Sequence, residues 1–431
     1  MILHIKHTKI SNMKKKNVII VMLVCCCLIL GIAGSIFGLK HYRNKKEIDD
    51  RKINIGFYEL NQSQQQIFTQ IVQDICSQNE LTVNFYTIEK EQDYPKEIKD
   101  KKINLILTPA GFAVQKAVDA AAKDVSIPAD TTSGMFTSMR QAVIQNDGAI
   151  KAIPLIFDNL EINIEISAFK MSGLERIATW EDIEKFAQIE IAREEIDSPI
   201  SFAGAEPAFL LDLLGALGEA FDGYDAYNQA AQILKDAVDA KKTGQDFNAS
   251  AVAKKIFIDP DAPLPYSMYY LKQLVKKGYI TTASKQLIHT DINSYIQQRV
   301  TKAFFTSLSV HRTYDVKAVS RFSTIYFPSK SAANQRHFTA TITYAVPLTT
   351  NANLSVLIEE LLSAQAQETL SQQTGLAPVL ANCRTPDQQA DDARYWVAAT
   401  NPPVAGLSRE AELSDAELKS LGDEVRALVF Y

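Results

Sequence analysis

A chain of 431 residues with 46% hydrophobic content is too long for one ordinary domain and can bury two sizeable cores, which predicts two lobes. Nine of the 45 Lys and Arg residues, and none of the 50 acids, lie before Glu47. The remainder is therefore acidic by about 14 charges, which excludes nucleic acid and an anionic membrane surface as partners of the body.

Residues 17–39 hold no charge and are flanked by Lys14-Lys15-Lys16 on one side and Lys40, Arg43, Lys45 and Lys46 on the other. That span is long enough to cross a bilayer. The lysines ahead of it assign 1–16 to the cytoplasm and put the body, after a linker at 40–52, on the extracytoplasmic face. Three fates remain open for the segment. They are a retained membrane anchor, acylation at Cys25, Cys26 or Cys27, and cleavage after Ala33-Gly34-Ser35 as a signal peptide. Only Cys76 and Cys383 follow. Cys76 lies on an apolar helical face and reads as a buried thiol, and no Cys/His spacing suits a metal.

From 53 to 127 strands alternate with helical patterns. Ile53–Tyr58, Leu81–Tyr86 and Ile103–Thr108 read as strands; Gln64–Cys76 and Tyr94–Lys101 read as helices. Such alternation predicts an α/β fold with a parallel sheet, and ligands of these sheets sit beyond the carboxyl ends of the strands. The residues at those ends are Tyr58, Glu59 and Asn61, then Thr108, Pro109, Ala110 and Gly111. Turn formation and helix capping are the bland alternatives for each of them. Residues 117–145 are helical again, with a break at 127–134.

Lys151–Phe157 and Leu160–Ile166 read as two strands meeting at a turn at Asp158-Asn159, a crossing point. Gly173 then makes a turn, and Thr179 caps a helix with Asp182 three residues on and Trp180, Ile183 and Phe186 along one face. The second lobe continues with a strand at 199–203, then Glu206 and Pro207 opening an apolar helix to Phe221, and helices at 226–240 and 265–277. A polar surface loop lies at 241–250. A helix at 292–300, a strand at 302–306 ending at Thr306 and Ser307, a helix at 310–319 and a strand at 323–327 complete it. Phe338–Leu348 reads as a long strand. A helix at 352–374 follows, closed by Gly375 and Pro378. The tail holds helices at 391–399 and from Ser414, where Glu417 completes a capping box.

Ile153-Pro154, Asp158, Gly173-Leu174 and Thr179-Trp180-Glu181-Asp182 occur in that order, and Ser363-Ala364-Gln365, Leu370, Gly375 and Pro378 follow the strand at 338–348. Over roughly residues 53–380 this order resembles the extracytoplasmic solute-binding proteins of ABC importers, in their maltose- or sugar-binding-like branch. The resemblance implies a two-lobed periplasmic-binding-protein-like fold. Lobe 1 comprises 53–158 and 330–384, and lobe 2 comprises 159–329 and 385–431. Hinge closure near Asp158, Pro328 and Leu348 would capture a small solute, a carbohydrate in this branch, and an ABC permease would be the partner. Implied ligand-binding positions are Tyr58, Glu59, Asn61, Thr108, Gly111, Asp158, Glu206, Thr306, Ser307 and Trp396. Tyr58, Phe112, Phe157, Phe202, Phe304 and Trp396 are the rings available for stacking, and Trp396 serves equally well as a ring fixing the tail to the core.

No GxSxG, P-loop, GxGxxG or HExxH occurs, so no enzyme class, cofactor or metal is predicted. His289, His311 and His337 read as surface or hydrogen-bonded groups, and Glu194-Glu195 and Asp391-Asp392 as solvated faces. Two readings stay open: a receptor delivering solute to an importer, and an anchored bilobal sensor partner, adhesin or scaffold without transport.

Overall fold

The computed structural model describes residues 51–143, 148–193, 196–329 and 335–431. The expected membrane segment at 17–39 and the Glu194-Glu195 pair lie outside the described residues. Among the described residues no helix is long and apolar enough to cross a membrane.

Strands β1 (Lys52–Tyr58), β2 (Thr82–Ile88) and β3 (Leu105–Pro109) pair in parallel, with Ile55 opposite both Phe85 and Leu105. Helix α1 (Gln62–Gln78) is polar on its outer side. Its buried face of Phe68, Ile71, Val72, Ile75 and Cys76 lies against the sheet, and burial pushes the Cys76 thiol up to about 11. Helices α2 (Tyr94–Lys101) and α3 (Phe112–Ala120) follow the next two strands. The expected helix over 117–145 reduces to the end of α3, a 3₁₀ turn at Ala129–Thr132 and the short α4 (Thr137–Ala142).

Strand β4 (Ile153–Glu165) is continuous over 13 residues, so the turn expected at Asp158-Asn159 does not form. The Asp158 carboxylate accepts from Ser309, 151 residues away, and its backbone stays in the ladder opposite Thr341. The register shift between Pro154 and Ile156 absorbs the proline that a regular ladder would not hold.

Helix α5 (Ile166–Ser172) ends at Gly173, whose φ of 72° suits glycine. Helix α6 (Trp180–Ala192) starts at the predicted box, Thr179 and Asp182 each bonding back to the other's backbone, and buries Trp180, Ile183 and Phe186. Then come β5 (Ile200–Phe202), α7 (Pro207–Phe221) with its proline in the first turn, α8 (Tyr224–Lys242), α9 (Ala249–Phe257), α10 (Pro265–Lys276), α11 (His289–Gln298) and β6 (Ala303–Ser307). Helix α9 has no counterpart among the expected elements; Asn248 caps it inside the predicted polar loop. The helix expected at 310–319 is two short ones, α12 (Leu308–His311) and α13 (Val316–Val319), because Ser307 and Asp315 each cap a new start. Strand β7 (Phe322–Ile325) precedes β8 (Ala340–Pro347). Ser363 likewise divides the predicted 352–374 helix into α14 (Ala352–Leu361) and α15 (Ala364–Thr374), and Gly375 ends the latter with φ 70°. A two-residue β9 (Ala377–Pro378), α16 (Gln388–Ala398) and α17 (Asp415–Phe430) complete the order.

The main path of strands is β2-β1-β3-β8-β4-β6-β5. Strand β4 pairs with β8 through its first half and with β6 through its second, so one strand belongs to two sheets. Each half has its own core. One gathers Ile55, Phe68, Leu107, Phe157 and Leu370; the other gathers Trp180, Phe202, Leu214, Ile256 and Phe305. The tail is divided between them: Ala393 and Val397 of α16 join the first core, while Leu407, Leu421 and Val425 join the second.

Candidate ligand cleft

Strand direction places the cleft. Strand β4 runs from the first core to the second. Strands β1 and β3 run parallel to it, because both are antiparallel to β8 as β4 is, and β6 and β5 run opposite. The carboxyl ends of both sheets therefore point toward the middle of β4, where Asp158 and Asn159 end the ladder with β8 and Leu160 begins the ladder with β6.

From the first lobe, the end of β1 supplies Tyr58 and Glu59. Tyr58 is buried, and its hydroxyl donates to Glu412 Oε1 at 3.4 Å while accepting from Lys116 Nζ at 3.1 Å. Burial and the neighbouring Glu412 carboxylate push the Tyr58 phenol well above its ordinary range. Glu59 takes a left-handed φ of 58° and faces Lys90 at 3.6 Å, whose ammonium lies over the Phe112 ring. Lys116 pairs with Glu412 and lies 5.2 and 5.1 Å from the ring centroids of Tyr58 and Tyr94. Gly111, with φ 95°, brings its backbone so close to the Arg409 carbonyl that a Cβ there would collide with it.

From the junction and the second lobe, Asp158 accepts from the Ser309 amide at 2.9 Å and the Ser309 hydroxyl at 2.5 Å, and Ser307 bonds Ser309 at 3.0 Å. Burial dominates over these bonds and pushes the Asp158 carboxyl up to about 6. Asp212, on the mostly apolar α7, is likewise raised by burial, with the Arg409 charge and the Ser408 amide opposing. Tyr227 donates to the Ala405 carbonyl at 2.5 Å. Residues 405–412 are thus bound along α7 and α8 and meet the first lobe at Gly111, Tyr58 and Lys116.

The remaining predicted positions have other surroundings. Asn61 caps α1 and bonds Gln64. Thr108 and Thr306 are fully buried and their hydroxyls have no partner. Glu206 accepts from the His289 amide at 2.8 Å, with the His289 ring beside it; burial lowers that imidazole, and Glu206 opposes the effect. Trp396 is half-buried beside Asn159 and Leu160 of β4. Its ring meets Tyr326 edge-on at 5.6 Å, and it lines a cavity of about 10 Å³, room for one water, with Asn159, Arg336 and Phe338. Phe157, Phe202 and Phe304, expected at the rim, are fully buried members of the two cores. His311 is buried against Glu161 at 2.8 Å, with Gln389 bonding both. His337 meets the Pro402 carbonyl at 2.7 Å, and Asp391 pairs with Arg394.

Lys116, Asp212, Ser309, Arg409 and Glu412 had no place in the sequence reading. One signal was available: Asp212 and Glu219 are the only charges in PAFLLDLLGALGEAF, and acids on an all-buried helix need specific partners. Glu219 holds the buried Arg336 at 2.8 Å.

No family profile and no curated protein matches the chain. Solved structures do. The bacterial solute receptor AcbH, described as exclusive for β-D-galactopyranose, is 13% identical over 88% of this chain and 98% of its own, with a TM-score of 0.65. The fold is that of the bilobal solute receptors. The binding protein msme of Bacillus subtilis, solved in an open conformation, gives 0.61 at 13% identity over 88% of this chain and 92% of that one. A cyclo/maltodextrin-binding protein complexed with maltotetraose gives 0.57 at 12% over 88% and 94%. In the present chain β4 joins the two halves, and the 405–412 segment, bound to the second, touches the first at Gly111, Tyr58 and Lys116.

Proposed function

We propose that this chain is an extracytoplasmic receptor that captures a saccharide between its lobes and presents it to an ABC permease. The observation that carries the reading is that the carboxyl ends of β1, β3, β5 and β6 all point toward the middle of β4, with Asp158 and its serines at the junction and Lys116 with Tyr58 at the end of β1 as donors and acceptors for a polyol. The likeness to sugar receptors supports it, and so does the two-sheet strand β4, whose middle is the natural place for a hinge. Membrane attachment through residues 17–39 belongs to the same reading. Closure would exclude water and select the form a permease recognises.

The bridge from Glu412 to Lys116 favours a second reading, a bilobal scaffold or sensor partner without transport, because it joins the lobes through the chain's own side chains. Thermal melting of the purified protein against a panel of mono- and oligosaccharides separates the two. The receptor reading predicts a rise that grows with concentration as RT ln(1 + [L]/Kd), about 2.7 kcal/mol at a hundred times Kd. A melting temperature indifferent to every saccharide supports the scaffold.

A further inference from the structure

The Lys116–Tyr58–Glu412 cluster says more about the solute than the hydroxyl-rich junction does. Lys116 Nζ stands against the rings of Tyr58 and Tyr94, and its carboxylate partner is borne by the tail segment bound to the other lobe. Asp212, with the Ser408 amide and the Arg409 charge, and Glu59, with Lys90, keep partners within their own lobe, whereas Asp158–Ser309 and the buried Glu219–Arg336 pair also join the lobes. Lys116 and Tyr58 are likewise donors whose acceptor leaves when the lobes part, and solvent reaches this ion pair, whose side chains are 27% and 37% exposed.

We propose that Lys116 and the Tyr58 hydroxyl form a carboxylate subsite in the cleft, occupied in this structure by the chain's own Glu412, and that the solute is an acidic saccharide such as a uronate. This rests on the receptor reading above and deepens it. A solute reaching the end of β1 must displace Glu412. A neutral sugar leaves the ammonium without its counterion, whereas a uronate restores the charge-assisted bond from Lys116 and the second bond from Tyr58. Glu412 is then an internal competitor that sets a threshold for entry.

The test is calorimetric titration of the full chain in detergent with D-glucose, D-galactose and their uronates, together with short oligomers of each. A uronate should bind at least about tenfold more tightly than its neutral counterpart. That preference should vanish in Lys116→Met and shrink in Tyr58→Phe, while Glu412→Gln, which weakens the competitor that either solute must displace, should tighten uronate and neutral sugar alike, severalfold. Circular dichroism melting shows whether each variant folds, and Tyr58→Phe, which removes one oxygen, serves if Lys116→Met does not. Neutral sugars binding as well as uronates, or a uronate affinity indifferent to Lys116 and Tyr58, overturns the subsite and leaves the receptor standing. No binding of any saccharide overturns the receptor reading and the subsite together.

Discussion

Asp158 shows how a single side chain can be legible as a position and illegible as a role. Its place between two apolar runs marks the crossing, but Ser309, which takes up its carboxylate, is 151 residues on, and no local pattern announces the pair. The carboxyl is raised to about 6 chiefly by burial. Below the unfolded value near 3.9 both states hold it neutral and it contributes nothing. Between about pH 4 and 6 the unfolded chain ionises first, so the folded state loses stability as pH rises, and above 6 the full penalty of up to about 3 kcal/mol is present. Asp158→Asn should therefore gain on the wild type between pH 4 and 7. Urea unfolding at those two pH values measures the gain, and an equal difference at both would contradict the assignment. Trp396 belongs to this scale too. Its ring packs on Tyr326 beside Val397, so Trp396→Ala should cost about 3 kcal/mol of stability and leave saccharide affinity within twofold. A loss of affinity at unchanged melting temperature would return Trp396 to the cleft.

At the scale of elements, the parts that were legible are those whose determinants lie within one turn of chain. The Thr179–Asp182 and Ser414–Glu417 boxes, Pro207 at the head of α7 and Gly375 at the end of α15 stand where the sequence puts them. What failed were continuities: Asp158-Asn159 looked like a turn and is strand, Asp315 and Ser363 looked like helix interior and are caps, and Ser307, read as a site residue past a strand end, caps a short helix. In each case a side-chain bond, to a distant residue or to a nearby amide, decided between two locally acceptable backbones. The tail segment was illegible for a related reason, since its anchors are the Tyr227 hydroxyl and the Asp212 carboxylate on α8 and α7. Helix α7 also fixes the start of β8 through the Glu219–Arg336 pair, with both side chains almost fully buried. Replacing one member leaves the other charge unpaired in the core, so Arg336→Met should cost about 3–5 kcal/mol, and the double variant Glu219→Met/Arg336→Met should recover much of it. Equal losses in the single and double variants would show that packing and not charge holds that junction.

For the whole molecule, two cores share β4, and the lobes touch on the cleft side where Gly111 meets Arg409 and Lys116 meets Glu412. A methyl group at Gly111 cannot coexist with that contact, and Glu412→Gln weakens the ion pair beside it. The double variant Gly111→Ala/Glu412→Gln should thus rest with its lobes apart, and a captured saccharide should draw them together, because burial of the solute from both sides rewards closure. Small-angle X-ray scattering of this variant, with and without the tightest-binding saccharide, tests capture by lobe closure most directly. The account predicts a radius of gyration larger than that of the wild type without ligand and a decrease on saturation that stops short of the wild-type value, because the added methyl holds the Gly111–Arg409 contact open; a radius equal to the wild type's and unmoved by a saccharide that raises the melting temperature would contradict it.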